Sequence, residues 1–159
     1  LSAPEIEQIR ALGPELKTKC GELASYRIPP TLVHGDFTPD NAALQHDGHI
    51  VYFDWTDGCV AHPFVDLVTM LDDDAYPVVN PARKRLLDVY LSQWLEYEPM
   101  ERLMEAQSLA RPLGALHQAI TYQSLVPHVE LVMLDGLELA QRFWLRKMLE
   151  FVVEPLPGN

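Results

Sequence analysis

The chain reads as an α+β fold in which helix dominates. Three observations predict it. A helical apolar stripe runs through the first 26 residues. Three short apolar segments cluster between residues 31 and 53 around an Asp-Gly turn. From Pro63 onward the apolar positions recur at helical spacing. The 159 residues show no internal repeat and no low-complexity linker. The expectation is one domain over residues 1–159, large enough to bury roughly 70% of its unfolded surface.

Residues 4–26 form the first helical stretch. Pro4 and Glu5 suit a first turn, and Ile6, Ile9, Leu12, Leu16, Cys20 and Leu23 fall near one stripe. Gly13-Pro14 interrupts it, so the expectation is a kink or two shorter helices. "RIPP" at 27–30 ends it, because two prolines cannot continue a helix. The apolar segments that follow are "TLVH" (31–34), "AALQ" (42–45) and "HIVYF" (49–53). The last two flank "HDG", whose Asp-Gly marks a hairpin turn. Residues 34–41 therefore lie in a loop between a strand and a hairpin, and Asp54 stands at the hairpin exit.

"HPFVDLVTMLDDD" starts a helix near Pro63 with Phe64, Leu67, Val68 and Leu71 on one face. Pro77, Asn80 and Pro81 break the chain. Helices are then expected over 82–97, over 100–125 (bent or divided at Pro112) and over 129–153.

The charge balance narrows the partners. Twelve Lys and Arg against 23 Asp and Glu give a formal charge of -11, so nucleic acid is excluded, since binding its backbone needs clustered cations. An acidic surface serves solubility or a cationic substrate. With 48% hydrophobic residues the chain is globular. No apolar run approaches the ~18 residues a membrane span needs. Cys20 and Cys59 lack a C-x-x-C spacing and read as reduced thiols, which places the protein in the cytoplasm. The chain opens on Leu1 without Met, which reads as a piece of a longer product.

The stretch "LVHGDFTPDN" places His34, Asp36 and Asn41 within eight residues, and Asp54 follows in "FDW". Phosphoryl transfer needs a carboxylate at the acceptor hydroxyl, hard oxygen ligands for Mg²⁺ and positive charge on the phosphates. Asp36 and Asn41 on a strand-to-hairpin frame can supply the carboxylate and one metal oxygen, and Asp54 a second. The pattern follows H-R-D-x-x-x-x-N of the kinase catalytic loop with Gly35 in place of Arg.

"HGDFTPDN", "FDW" and "HPFVDL" together resemble the aminoglycoside phosphotransferase and choline kinase-like family, which has the protein kinase-like fold. The likeness runs at motif level from Leu32 to Leu71. It implies the carboxy-terminal lobe of such a phosphotransferase, with a small β-hairpin carrying the catalytic loop. It makes Asp36 the catalytic base, or the group that orients the acceptor hydroxyl, Asn41 and Asp54 the Mg²⁺ ligands, His34 a brace for the loop and Asp66 its hydrogen-bonded support. It implies ATP as cosubstrate and, as acceptor, a small hydroxyl compound such as an amino sugar or amino alcohol. The family has Asp before the proline of the third element, and this chain has His62.

The parts that hold phosphates are missing from these residues. There is no G-x-G-x-x-G, no G-x-x-x-x-G-K-[ST] and no V-A-I-K-like strand. In the family an amino-terminal nucleotide lobe supplies that clamp, and the 33 residues before the loop read as helix. The chain by itself is therefore expected to turn over negligibly, with the first lobe in a longer product or on a separate chain. The alternative is a non-catalytic binding module of the same descent that buries its exposed face in a homodimer.

Other residues carry plainer readings. His46 and His49 flank the Asp-Gly turn and read as solvated, not as a zinc site with His34. Asp72, Asp73 and Asp74 end a helix, where negative charge is disfavoured, and read as a solvated acidic turn before a cation-receiving one. Glu130, Asp135 and Glu138 share that ambiguity. Trp55 is expected in the core beneath the loop, and Trp94 and Trp144 in helical packing. His117 and Tyr122 lie on a mid-chain helix that could face a substrate groove, and are assigned to core or surface before that. Cys59 has no base beside it in sequence, which leaves a nucleophile role unsupported.

Overall fold

Helix formation begins one residue before Pro4, because Ser2 caps it. In the computed structural model, which describes residues 1–128 and 130–153, Ser2 Oγ accepts from Glu5 N–H at 3.4 Å and the Glu5 side chain accepts from Ser2 N–H. This is a capping box. Helix α1 spans Ala3–Ala11 and α2 spans Gly13–Leu23. Of the two expectations for Gly13-Pro14, the second holds: the helix divides, with Leu12 closing α1 and opening α2.

Two small antiparallel sheets follow. Strand β1 (Thr31–Val33) pairs with β4 (Cys59–Ala61), Leu32 opposite Val60. Strand β2 (Ala42–Leu44) pairs with β3 (Ile50–Tyr52), Leu44 opposite Ile50. The β2–β3 hairpin turns at Gly48, whose φ of +87° suits glycine. Strand β4 was not anticipated. It is three residues long with no turn signal of its own, and its partner lies 26 or more positions earlier in the chain. A turn at Thr56 and Asp57, closed by Gly58 N–H donating to Trp55 O at 3.0 Å, returns the chain beside β1.

A 3₁₀ turn over Pro63–Asp66 leads into a short helix α3 (Leu67–Leu71). Phe64, Leu67, Val68 and Leu71, assigned to one face, are all buried. The substitution of His62 for the family's Asp leaves the start of this segment capped, since His62 Nδ1 accepts from Phe64 N–H at 3.3 Å. Helix α4 is Asn80–Ser92, and α5 runs unbroken over Met100–Leu125 with Pro112 inside it. Helix α6 is Leu131–Val153. The residue at 129, where that helix was expected to begin, lies outside the described residues.

The core lies between α5 and its neighbours. One cluster gathers Phe64, Leu67, Leu71, Leu91 and Leu103 with Leu23 from α2 and Ile28 from the connection that follows it. A second joins Leu16, Val68, Ala115, Trp144 and Met148. Small residues let α5 approach closely: a Cβ on Gly114 would stand 2.6 Å from the Val65 carbonyl oxygen. Trp144 is in the core, whereas Trp55 is not. It stands half exposed at 47%, a correction to the packing expected of it. Its ring lies against His34, tilted by 42° with centroids 4.6 Å apart, and its N–H donates to Tyr52 O, so it covers the loop from outside.

The three aspartates at 72–74 also divide. Asp72 is buried and bridges Arg83 at 2.6 Å and Arg111 at 2.8 Å, so it is neither a solvated residue nor open to a substrate cation. Asp74 is exposed and meets Lys147 at 2.9 Å. Among the described residues no helix is long and apolar enough to cross a membrane.

Candidate phosphotransfer site

The loop begins where β1 ends. Val33 and His34 are buried, and the next residues turn sharply because Gly35 adopts φ +82°. A Cβ at this position would lie 2.2 Å from the Asp57 carbonyl oxygen. Glycine is thus required twice, by conformation and by the chain passing over it. The Arg that follows His in the kinase pattern could not occupy this place.

Asp66 reaches the loop from the 3₁₀ turn. Its Oδ2 accepts from His34 N–H at 2.6 Å and its Oδ1 from Gly35 N–H at 3.0 Å. Burial nonetheless pushes its pKa up, with the two amide hydrogen bonds pulling the other way. His34 Nε2 lies 2.9 Å from Phe53 O, so that nitrogen carries the hydrogen, and Nδ1 accepts from Asp36 N–H at 3.3 Å. His34 thereby links the loop to the end of β3.

Asp36 is half buried. The Asn41 amide nitrogen donates both its hydrogens to this one residue, to the backbone oxygen at 2.9 Å and to Oδ2 at 2.8 Å. Asp36 Oδ1 and Asn41 Oδ1 are the oxygens left outside that clasp. Burial raises the Asp36 pKa, the Asn41 hydrogen bond opposes it, and the charges of Asp57 and Asp54 raise it further.

Asn41 and Asp54 are brought together by backbone pairing. Phe53 N–H donates to Asn41 O at 3.0 Å, which sets Asp54 one residue beyond the contact. Asp54 has φ +60°, rare for a residue other than glycine. Such strain persists where the surroundings hold it, commonly at functional sites. Its Oδ1 accepts from Thr56 Oγ1 at 2.7 Å, which holds the exposed carboxylate in one orientation. The donor set at Asn41 and Asp54 is hard oxygen, suited to Mg²⁺ that also takes phosphate oxygens and water. Among the described residues no three His, Cys, Asp or Glu side chains converge on a common metal position.

Asp57 joins the site without having been singled out, and Asp73 and Tyr122 join it from readings that ranked a place facing a substrate second. Asp57 presses on Gly35 and its charge reaches Asp36. Asp73 is partly buried: desolvation raises its pKa, and Asp36 adds to the rise. Tyr122 on α5 is pushed up by burial and then by Asp36, Asp73 and Asp57. The run of acids at 72–74 was a visible signal for Asp73, but which of the three faces inward depends on how α3 ends. Cys59 does have a base in space, with His117 Nε2 3.6 Å from its Sγ. Burial and the Asp66 charge push the thiol up, which disfavours the thiolate a nucleophile needs.

A profile described as the phosphotransferase enzyme family matches residues 2–106, a span that includes Asp36, Asn41, Asp54, Asp66 and Asp73 and stops before Tyr122. No curated protein and no solved structure matches the chain.

Proposed function

The chain belongs to the phosphotransferase enzyme family, and on that premise we propose that it is the acceptor-binding, carboxy-terminal lobe of an ATP-dependent small-molecule kinase. The observation that carries the proposal is the clasp of Asn41 on Asp36. It holds Oδ2 and the backbone of Asp36 and leaves Oδ1 to take the hydrogen of an acceptor hydroxyl. The upward push on Asp36 makes it a stronger base than a free aspartate. Asn41 Oδ1 and the Asp54 carboxylate would hold Mg²⁺, whose bound form would neutralise charge on the phosphoryl oxygens.

An acceptor that carries an amine suits the surroundings. The charge of Asp57 reaches Asp36, that of Asp36 reaches Asp73, and all three reach the Tyr122 hydroxyl, and a cation there would relieve that repulsion. Amino sugars and amino alcohols are the compounds of choice.

The phosphate clamp must come from elsewhere. No Lys or Arg occurs between Arg27 and Arg83, the span that contains the whole loop. The hairpin beside the loop exposes Leu44 at 75%, Ile50 at 58%, Phe53 and Trp55. That apolar surface is where a nucleotide-binding lobe, attached or separate, would dock and bring positive charge over the ATP phosphates. The same surface supports a second reading, a non-catalytic module that covers it with another copy of itself.

The test is phosphate transfer from labelled ATP with Mg²⁺ to a panel of amino sugars and amino alcohols. It compares residues 1–159 with the longest product that an antibody to this chain detects in its own cells. The shorter protein should turn over negligibly. In the competent form, Asp36→Asn should lower turnover by about 10²- to 10⁴-fold, with ATP binding kept. Unchanged turnover in that variant would remove Asp36 from the mechanism. Concentration-dependent dimerisation without nucleotide affinity would favour the second reading.

A further inference from the structure

We propose that Gln118, on α5, is a positioning residue that sets the direction of Asp36; the proposal rests on the reading of Asp36 and Asn41 given above. The Gln118 side chain is buried, with 4% exposure, and its Nε2 donates to the carbonyl oxygen of Gly35 across 83 positions of sequence. That carbonyl belongs to the peptide joining Gly35 to Asp36, so its orientation decides where the Asp36 side chain leaves the backbone.

The physical need for such a hold comes from Gly35 itself. A glycine at φ +82° has alternative conformations close by in energy, and a peptide next to it can rotate at little cost. Every other handle on Gly35 is already engaged: its N–H by Asp66 and its Cα face by the Asp57 carbonyl. On the Asp36 side the same peptide is held by its N–H, at a long 3.3 Å to His34 Nδ1, and by its carbonyl. In a buried position that carbonyl needs a donor, and Gln118 is the one that reaches it.

The helix is built to bring it there. Ala115 and Ala119 flank Gln118 and are buried, and Gly114 allows α5 to touch the Val65 backbone. Thr69 gives a weaker hold on the other side of Asp36. Its hydroxyl lies 3.2 Å from Phe37 O and 2.9 Å from Asp66 O, with one hydrogen for two acceptors. Asp36 is thus held through the peptide before it by α5 and through the residue after it by α3. Gln118 lies outside the matched span of residues 2–106 and outside the motif that carries the site.

The test replaces Gln118 with Met, similar in length and shape but without a donor. Three readouts are taken on wild type and variant: thermal melting, amide hydrogen exchange over residues 34–41 and over α5, and Mn²⁺ affinity by electron paramagnetic resonance. The expected result is about 10-fold or greater loss of Mn²⁺ affinity, as for residues that orient metal ligands. It is accompanied by faster exchange confined to residues 34–41, with α5 protection kept. Equal Mn²⁺ affinity and equal loop exchange in the two proteins overturn the proposal. Faster exchange spread evenly over α5 also overturns it, because Gln118 would then be stabilising the helix and not the loop.

Should wild type bind no Mn²⁺, the metal reading of Asn41 and Asp54 fails. Gln118 is then judged by loop exchange alone: a local increase upholds it and no increase defeats it. If Gln118→Met does not fold, Gln118→Asn, which keeps the amide one methylene short, is read by the same outcomes.

Discussion

Gly35→Ala tests the frame of the site without touching a titratable group. Two costs add. Alanine at φ +82° meets the left-handed penalty of about 1–2 kcal/mol. Its Cβ would also fall 2.2 Å from the Asp57 oxygen, 2.7 Å from the carbonyl carbon and 2.9 Å from Cβ. Those are mainly backbone atoms, so relief requires moving the 54–58 segment and not a flexible side-chain tip. Overpacking of that kind costs about 1–3 kcal/mol. The sum is about 2–5 kcal/mol, or a fall in melting temperature of about 4–20 °C for a chain of this size. Gly48→Ala is the control. Its φ of +87° carries the same conformational penalty, but nothing lies within 4 Å of the added Cβ. It should cost about 1–2 kcal/mol. Urea unfolding followed by circular dichroism measures both. If Gly35→Ala proves no more destabilising than Gly48→Ala, the close passage of Asp57 over Gly35 is wrong.

Three further outcomes are expected. His62 is held down to about 4 by burial, against 6.5 for the free group, so on acidification the unfolded chain takes its proton first. Stability from this residue is complete above pH 6.5 and is lost as the pH falls towards 4, by about 2 kcal/mol after discounting for its partial exposure. His62→Asn, which keeps a capping oxygen for Phe64 N–H, should flatten that part of a stability–pH curve. Asp72→Ala removes the buried carboxylate that bridges Arg83 and Arg111 and should cost about 3–5 kcal/mol in urea unfolding; a loss under 1 kcal/mol would show that the pairs are solvent-screened. Replacing exposed Leu44 and Ile50 by Ser should leave the fold within about 0.5 kcal/mol, while weakening any association through the hairpin seen by sedimentation. Undiminished association would place the partner surface elsewhere.

The elements with strong local signals were legible in advance. Asp47-Gly48 between two apolar runs marked the hairpin, the double proline at 29–30 ended the first helices, and helical spacing located α3 to α6 to within a few residues. These features depend on interactions only a few positions apart, which a single sequence displays. The spacing of His34, Asp36, Asn41 and Asp54 was legible for a related reason. A strand, a loop and a tight hairpin leave few ways to return the chain, so the Asn41–Phe53 pairing follows from the turn.

What the sequence left open involves partners far apart in the chain. Nothing near Cys59 announces a strand, because β4 exists only through its pairing with β1. Trp55 looks like a core residue by composition, yet it covers His34 from the solvent side because Asp54 takes a left-handed conformation just before it. Three consecutive aspartates cannot be told apart by pattern. The end of α3 turns Asp72 towards two arginines and Asp74 towards Lys147, while Asp73 accepts from Ala75 N–H within reach of the Asp36 charge. Local spacing therefore determined which residues form the loop and the hairpin. Tertiary packing decided how Asp36 is aimed, what surrounds it and which of the acids are free to meet a substrate, because buried side chains take partners brought near by the fold of the whole chain.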